Sequence, residues 1–324
     1  MENKIAVSVV CDAYNHEPYI AQCLEGIVMQ KTNFVFEVLV HDDASTDKTA
    51  DIIREYEKKY PQLIKPVYQT VNQYTRGGIE QFQYPRVKGK YIALCEGDDY
   101  WTDPLKLQKQ YDAMEANPHV DICAHRAIQW DEQQSREDHH IAPRDADSVI
   151  PVEDVIWGGG GFVATCSLFY RAELHSQFPP FRQMSDLDYF VQIHGALRGG
   201  MLYLNDCMSV YRYLTASSWS LANRKNPARI IANLEEIEKV MHQLDLDTDG
   251  AYSQIIQKTI LNRRFRDYKG INACKELLKP QYRPFMNELS KAERLKIYAK
   301  AYVPILGEIS VLLQNARNSC LKGR

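Results

Sequence analysis

The chain has 324 residues, 45% of them apolar and 25% charged, enough for one large domain with a proper core and an appended region. Its formal charge of −3 leaves no basic excess of the kind a phosphate backbone attracts, so a nucleic-acid partner is set aside. The eight cysteines are scattered singly, with no Cys-x-x-Cys pair and no zinc-like His spacing, which suits buried free thiols in a reducing compartment.

The apolar run Ile5 to Cys11 is broken at once by Asp12. It is too short for a signal sequence or a membrane span and reads as a first strand, and the protein is expected to stay in the cytoplasm. Further strands are expected at Phe36 to His41, Ile64 to Tyr68, Tyr91 to Cys95 and Asp121 to Ala127. Between them, Tyr19 to Met29 and Asp47 to Tyr60 carry apolar residues at helical spacing, as in Ile52, Ile53, Tyr56 and Tyr60. Strands alternating with helices predict an α/β fold with a largely parallel sheet.

Asp103-Pro104 ahead of Leu105, Leu107 and Tyr111 predicts a helix start, because Asp can cap free amides and Pro is tolerated in the first turn. The preceding Glu96 to Trp101 is then a loop at a strand end, as is Asp42-Asp43-Ala44-Ser45. Open α/β sheets bind ligands beyond the carboxyl ends of their strands, so the two acidic loops are expected on one rim. Residues 129 to 147 are polar and aperiodic and read as an exposed excursion, followed by the glycine run Gly158 to Gly161. A strand at Thr165 to Tyr170, a helix from Asp186 to Leu197 and short strands at Met201 to Leu204 and Ser209 to Tyr213 complete the first domain, placed at 1–222. From 223 to 324 the pattern is helical only, including Ala228 to Leu244 and Gln254 to Tyr268.

Three ordered segments resemble the inverting family 2 glycosyltransferases: Val7 to Asn15, Glu37 to Asp47, and Gly89 to Asp99. The resemblance spans roughly residues 5 to 220 and implies a GT-A fold with an all-helical C-terminal extension. It implies a hexosyl- or N-acetylhexosaminyl-transferase that moves a sugar from a nucleotide-diphosphate donor, with uracil the expected base, to a hydroxyl of a glycan or lipid-linked acceptor. Surface polysaccharide synthesis is the expected setting: capsule, lipopolysaccharide or exopolysaccharide.

Asp98-Asp99 resembles the family's metal motif, with Asp99 at the coordinating position and Asp98 beside the nucleotide; hard carboxylate oxygens suit Mn²⁺ or Mg²⁺. From the residues alone, the pair is equally a solvated turn. By the same resemblance Tyr14 stacks on the base, Asp43 accepts its ring N–H and Arg76 lies near the diphosphate, although an Arg in a polar loop is commonly just solvated. Asp186, opening a helix, matches the catalytic base, with an N-cap as the plain alternative. Asp186 and Asp188 stand two apart, so they are not expected to share a helix face.

Met208 to Leu214 resembles the closing segment of the family, but Leu214 stands where many members carry His. Trp101 and Trp219 are candidate sugar platforms and Gly160 a candidate site of close backbone approach, with ordinary packing or a turn as alternatives. The basic, apolar C-terminal helices suit either an anionic membrane surface or docking on the catalytic domain. Two other classes compete: a degenerate member that binds nucleotide or glycan without turnover, and a sugar-phosphate nucleotidyltransferase. The second would want a glycine-rich loop where Asp12-Ala13-Tyr14-Asn15 stands.

Overall fold

The computed structural model describes residues 4–76, 78–176, 178–215 and 226–302. The first part runs β1 (Ile5–Ala13), α1 (Ile20–Val28), β2 (Val35–Asp42), α2 (Thr49–Lys59), β3 (Ile64–Tyr68), α3 (Glu80–Gln83), β4 (Tyr91–Leu94), β5 (Tyr100–Trp101) and α4 (Lys106–Ala116). It continues with β6 (Ile122–Asp131), β7 (Arg136–Ile141), β8 (Ser148–Ile150), α5 (Val152–Gly158), β9 (Phe169–Arg171), α6 (Pro180–Gln183), α7 (Asp188–Ala196) and β10 (Met201–Tyr213).

The strands form one sheet in the order β3-β2-β1-β4-β9-β6-β10-β5, with β7 on β6 and β8 on β10. β1 pairs in parallel with both β2 and β4, and β2 with β3. Val7, Val9, Val10 and Cys11 of β1 are all buried, the near-continuous apolar run of a strand covered on both faces. α1 supplies part of that cover through Ile20, Cys23, Leu24 and Ile27, one stripe at i, i+3, i+4 and i+7. Burying such aliphatic side chains contributes about 1.5–3 kcal/mol each.

Several expected elements are corrected. Residues 129–147 are not a bare excursion: β6 runs on to Asp131 and turns into β7, whose Arg136 to His139 face solvent, so the hairpin carries no apolar alternation to read. The expected strand at Thr165 splits into a 3₁₀ turn over Thr165–Ser167 and β9. The two strands around Met201 and Ser209 are one strand, β10, with irregular register on β6 between Leu204 and Ser209. Asp103 does not cap α4; it accepts the Leu105 N–H at 2.8 Å, a turn one step ahead of the helix.

The described residues fall into two compact units, one holding the sheet together with residues 243–250, the other residues 226–242 and those from 251 onward. The later elements are helical: α8 (Pro227–Asp247), α9 (Ser253–Gly270), α10 (Arg283–Glu288) and α11 (Lys291–Tyr302). In the second unit Phe265, Leu277, Tyr282, Phe285, Met286 and Ile297 share a small core. Arg264 donates from Nε and Nη2 to both carboxylate oxygens of Glu238, a bidentate pair. None of the helices among the described residues is long and apolar enough to cross a membrane.

Candidate active site

Because β1, β2 and β4 are parallel neighbours, their carboxyl ends emerge side by side: Ala13 stands opposite Asp42, and Val10 opposite Leu94. The loops that follow are stitched together by backbone. Asp43 N–H donates to Ala13 O and Gly97 N–H to Asp12 O, both at 2.9 Å. Asn15 (φ 55°) and Ala44 (φ 62°) are left-handed, and Asn15 N–H donates to Ser45 Oγ at 2.9 Å. Both acidic loops therefore lie on one rim.

Tyr14 stands on this rim with 38% of its surface exposed. Asp43, one residue past β2, is buried. Its Oδ1 accepts the Gln73 N–H at 2.7 Å, its Oδ2 accepts the Tyr74 N–H at 3.1 Å, and His41 Nε2 lies 3.4 Å from Oδ1. A carboxylate offers about four lone-pair sites, so one acceptor direction remains after these three. The same anchor holds the 3₁₀ turn Tyr74–Arg76, at whose end Arg76 is exposed. Asp42 is a turn residue: its Oδ2 faces the Ser45 N–H at 3.4 Å, and burial pushes its carboxyl up.

The loop after β4 differs from expectation. Asp99 is fully buried, its Oδ1 accepts the Arg212 N–H at 2.8 Å, and burial, then Asp98, push its carboxyl well above the usual range. It offers no oxygen to solvent. Asp98 is the more accessible of the pair: its Oδ2 accepts the Thr215 hydroxyl at 2.8 Å and lies 3.9 Å from His16 Nε2. Arg212 fixes the loop from below, donating from Nη1 to the Asp98 carbonyl at 2.6 Å and from Nη2 to Gln22 Oε1 at 2.5 Å. Its guanidinium lies 4.5 Å over the Tyr100 ring.

Glu96 is exposed yet crowded by protein. Its carboxyl is pushed well above the usual range, first by the loss of surrounding water and then by Asp98, Asp99, Asp188 and Asp12. Asp12 is itself pushed up by burial, against a 2.8 Å hydrogen bond from Gln83 Nε2. Carboxylates gathered in this way repel one another until protonated or matched by a cation. No group of three His, Cys, Asp or Glu among the described residues is arranged to hold a metal by itself. The donor set fits a hard cation taken by one or two carboxylates, with the remaining ligands supplied by a bound phosphate.

Three residues in this cluster were not singled out from sequence. His16 reaches Asp98 because Gly97 leaves room: a Cβ there would lie 2.8 Å from His16 Nδ1. Burial lowers the His16 pKa against the pull of Asp98, so the ring is neutral at neutral pH. Arg212 and Thr215 flank Leu214, itself buried at φ 65°; the segment does carry side chains onto the acidic loop, two residues before and one after the missing His. The Tyr211-Arg212 dipeptide was the available signal.

Asp186 is exposed and lies two residues ahead of α7, whose N-cap position is Leu187 with no side-chain cap, so the capping alternative does not hold. A Cβ on Gly78 would sit 2.7 Å from Asp186 Oδ2, which places the loop after Arg76 against this carboxylate. Glu80 follows on that loop, its carboxyl pushed up to about 7 by burial and then by Asp186, with Arg182 opposing. Buried Arg182 donates to the Ser185 carbonyl at 2.5 Å and lies 3.7 Å from Glu80.

Asp188 diverges from Asp186: it accepts the Thr165 hydroxyl at 2.5 Å and faces Glu96. Gly160 approaches this helix start, its carbonyl accepting Gln192 Nε2 at 3.2 Å and its position 3.9 Å from Asp188 Oδ1 for an added Cβ. Trp101 is not a sugar platform. It is 1% exposed, donates from Nε1 to the Cys166 carbonyl at 2.9 Å and stacks under Lys106 Nζ at 3.9 Å. Trp219 lies outside the described residues.

Comparison with known proteins gives a family and a fold. The sequence profile described as "Glycosyl transferase family 2" matches residues 8–177, more than half of the chain. An uncharacterized protein of Mycobacterium tuberculosis is 35% identical over 218 residues, 67% of this chain; the chain spans 61% of that relative's length. Among solved structures, S. aureus TarS residues 1–349 in complex with UDP-GlcNAc superposes with a TM-score of 0.63 at 20% identity, over 87% of this chain and 79% of that one. A mannosyltransferase from Pyrobaculum calidifontis, in complex with GDP-Man and Mn²⁺, gives a TM-score of 0.50 at 15% identity, over 94% and 88% of the two chains.

Proposed function

The chain belongs to glycosyl transferase family 2, and on that premise we propose that it transfers a sugar from a nucleotide-diphosphate donor to a hydroxyl of a glycan or lipid-linked acceptor. Its fold is GT-A, a mixed, mostly parallel sheet flanked by helices, with a helical C-terminal region. The reading takes residues 1–222 as the catalytic domain, 223–324 as the helical region, and surface polysaccharide synthesis at the cytoplasmic face of a membrane as the setting.

In this reading the Tyr14 ring stacks on the base, and the free acceptor direction of Asp43 takes a ring N–H, as the imide of uracil offers; a base without one there, such as cytosine or adenine, would leave that buried carboxylate unmatched. Arg76 grips a phosphate oxygen from the turn that Asp43 anchors. Of the acidic pair, Asp98 is the more exposed and would hold Mn²⁺ or Mg²⁺, while Asp99 shapes the loop through the Arg212 amide. A bound divalent cation supplies charge neutralisation for the departing diphosphate. Asp186 accepts the proton of the attacking hydroxyl, and attack opposite the leaving diphosphate inverts the anomeric centre.

The observation that carries this reading is the convergence on one rim of a buried base acceptor, Asp43, and of the carboxylates Asp12, Asp98 and Asp188 around Glu96, whose carboxyl they push up after burial does. The ligands of the two structural neighbours, UDP-GlcNAc in one and GDP-Man with Mn²⁺ in the other, support a nucleotide-sugar donor and a cation. Thermal unfolding with UDP, GDP, TDP and CMP, with and without Mn²⁺, tests it. A ligand at one hundred times its Kd stabilises the folded state by about 2.7 kcal/mol, so a Mn²⁺-dependent rise in Tm selective for UDP is expected. The same midpoint with every nucleotide would sink the donor assignment.

A further inference from the structure

The helical unit carries a groove of about 440 Å³ whose lining includes four cations, Lys279, Arg283, Lys291 and Arg294, and no acidic residue. Lys279 is paired with Glu276, whereas Arg283, Lys291 and Arg294 make no ion pair among the described residues. The floor and wall are apolar, from Leu277, Leu278, Met286 and Leu295. α11 explains the arrangement. Its Ile297 and Ala301 turn into the core of the unit, and another face presents Leu295, Tyr298 and Tyr302, exposed by 70%, 47% and 74%. Their spacing of i, i+3 and i+7 is one stripe along the helix.

We propose that this face is a docking surface for an anionic lipid leaflet, with the Leu295, Tyr298 and Tyr302 stripe seated in the interface and Arg283, Lys291 and Arg294 on lipid phosphates. It gives residues to the peripheral attachment in the reading above and does not depend on the donor assignment. Charge complementarity calls for an anion, and the exposed stripe decides which kind. A soluble sugar-phosphate polymer has no phase in which Leu295 escapes water, whereas a bilayer interface takes up Leu and seats Tyr with its hydroxyl among headgroups. In sequence the apolar residues Val303, Ile305, Leu306, Ile309, Leu312 and Leu313 follow.

Co-sedimentation of the full chain with phosphatidylcholine vesicles, and with vesicles of equal parts phosphatidylcholine and phosphatidylglycerol, tests this. Binding is expected only to the anionic vesicles and should weaken with salt. A basic side chain at an anionic surface is worth about fivefold in partitioning, so Lys291→Glu with Arg294→Glu should weaken binding by about 25-fold or more. Leu295→Ser with Tyr298→Ser should also release the protein while the cations remain. Equal binding to both vesicle types, no binding, or binding unmoved by either double variant would overturn the proposal. So would soluble inorganic polyphosphate that binds as tightly as the vesicles and is unaffected by the serine variant. All four positions are surface-facing, and far-UV circular dichroism with the nucleotide-induced Tm shift checks folding. That shift also separates the two readings: vesicle binding without a UDP response sinks the donor assignment alone, and the converse sinks the leaflet alone.

Discussion

The rim of the sheet and the helical unit handle charge in opposite ways. In the helical unit ion pairs such as Arg264 with Glu238, Lys269 with Glu293 and Lys279 with Glu276 set opposite charges together, and three further cations, Arg283, Lys291 and Arg294, line one groove. On the rim the excess is negative, and it sits among buried or crowded groups where neighbouring carboxylates add to burial in pushing up the Glu96 and Asp99 carboxyls. Unmatched charge in either place costs folding free energy and so points to what is missing: a cation on the rim, an anion at the groove. The contrast also separates position from chemistry: Asp99 places one oxygen on the Arg212 amide and leaves the other buried without a hydrogen-bond partner, while Asp98 keeps 13% of its side-chain surface exposed.

The largest effect that would sharpen this contrast is expected at Asp186. Asp186→Asn should lower kcat by about 10³-fold, the usual worth of a positioned base, while the UDP-induced Tm shift survives; a normal kcat would remove Asp186 from the chemistry. Next is Asp43→Ala, which orphans the Gln73 and Tyr74 amides as well as the base. UDP affinity should fall by about 100-fold and stability by about 1–3 kcal/mol, measured by calorimetric titration and urea unfolding; intact UDP binding would break the base-pocket assignment.

Glu80 gives a smaller, pH-dependent effect. Its folded pKa of about 7 lies above the ordinary 4.5, so the folded state holds this proton more tightly than the unfolded chain does. Stability from this group is therefore full below pH 4.5 and is lost as the pH rises through 7. Urea unfolding of Glu80→Gln against the parent should show no difference at acid pH and a relative gain on the order of 2 kcal/mol at pH 8; parallel pH curves would contradict it. The smallest effect is at Trp101. Trp101→Phe loses one buried hydrogen bond, so stability should drop by about 1 kcal/mol with kcat and KM unchanged. A raised KM for acceptor would restore the sugar-platform role that burial denies it.

What was legible in sequence followed from period and local chemistry. The alternation of buried runs with helical stripes gave β1 to β4 and α1 to α2 to within a few residues, and the parallel order then put Asp12, Asp43 and Asp98 on one edge. What was not legible depended on contacts across the chain. The exposed strand β7 has no apolar face to betray it, and the approach of His16 to Asp98 needs the missing Cβ of Gly97. Which of Asp98 and Asp99 is enclosed is decided by Arg212, more than a hundred residues away. Asp186 was placed on a helix that begins two residues later, because Leu187, not an acid, occupies the cap.

The central claim is that Asp98, presented on a rim of mutually repelling carboxylates, takes a divalent cation together with a nucleoside diphosphate. Electron paramagnetic resonance of free Mn²⁺, titrated into the protein with and without UDP, measures this without reference to turnover. Mn²⁺ uptake that requires UDP and is lost in Asp98→Asn, with circular dichroism unchanged, is the predicted result. Uptake that ignores UDP, or that persists in Asp98→Asn, would contradict the account.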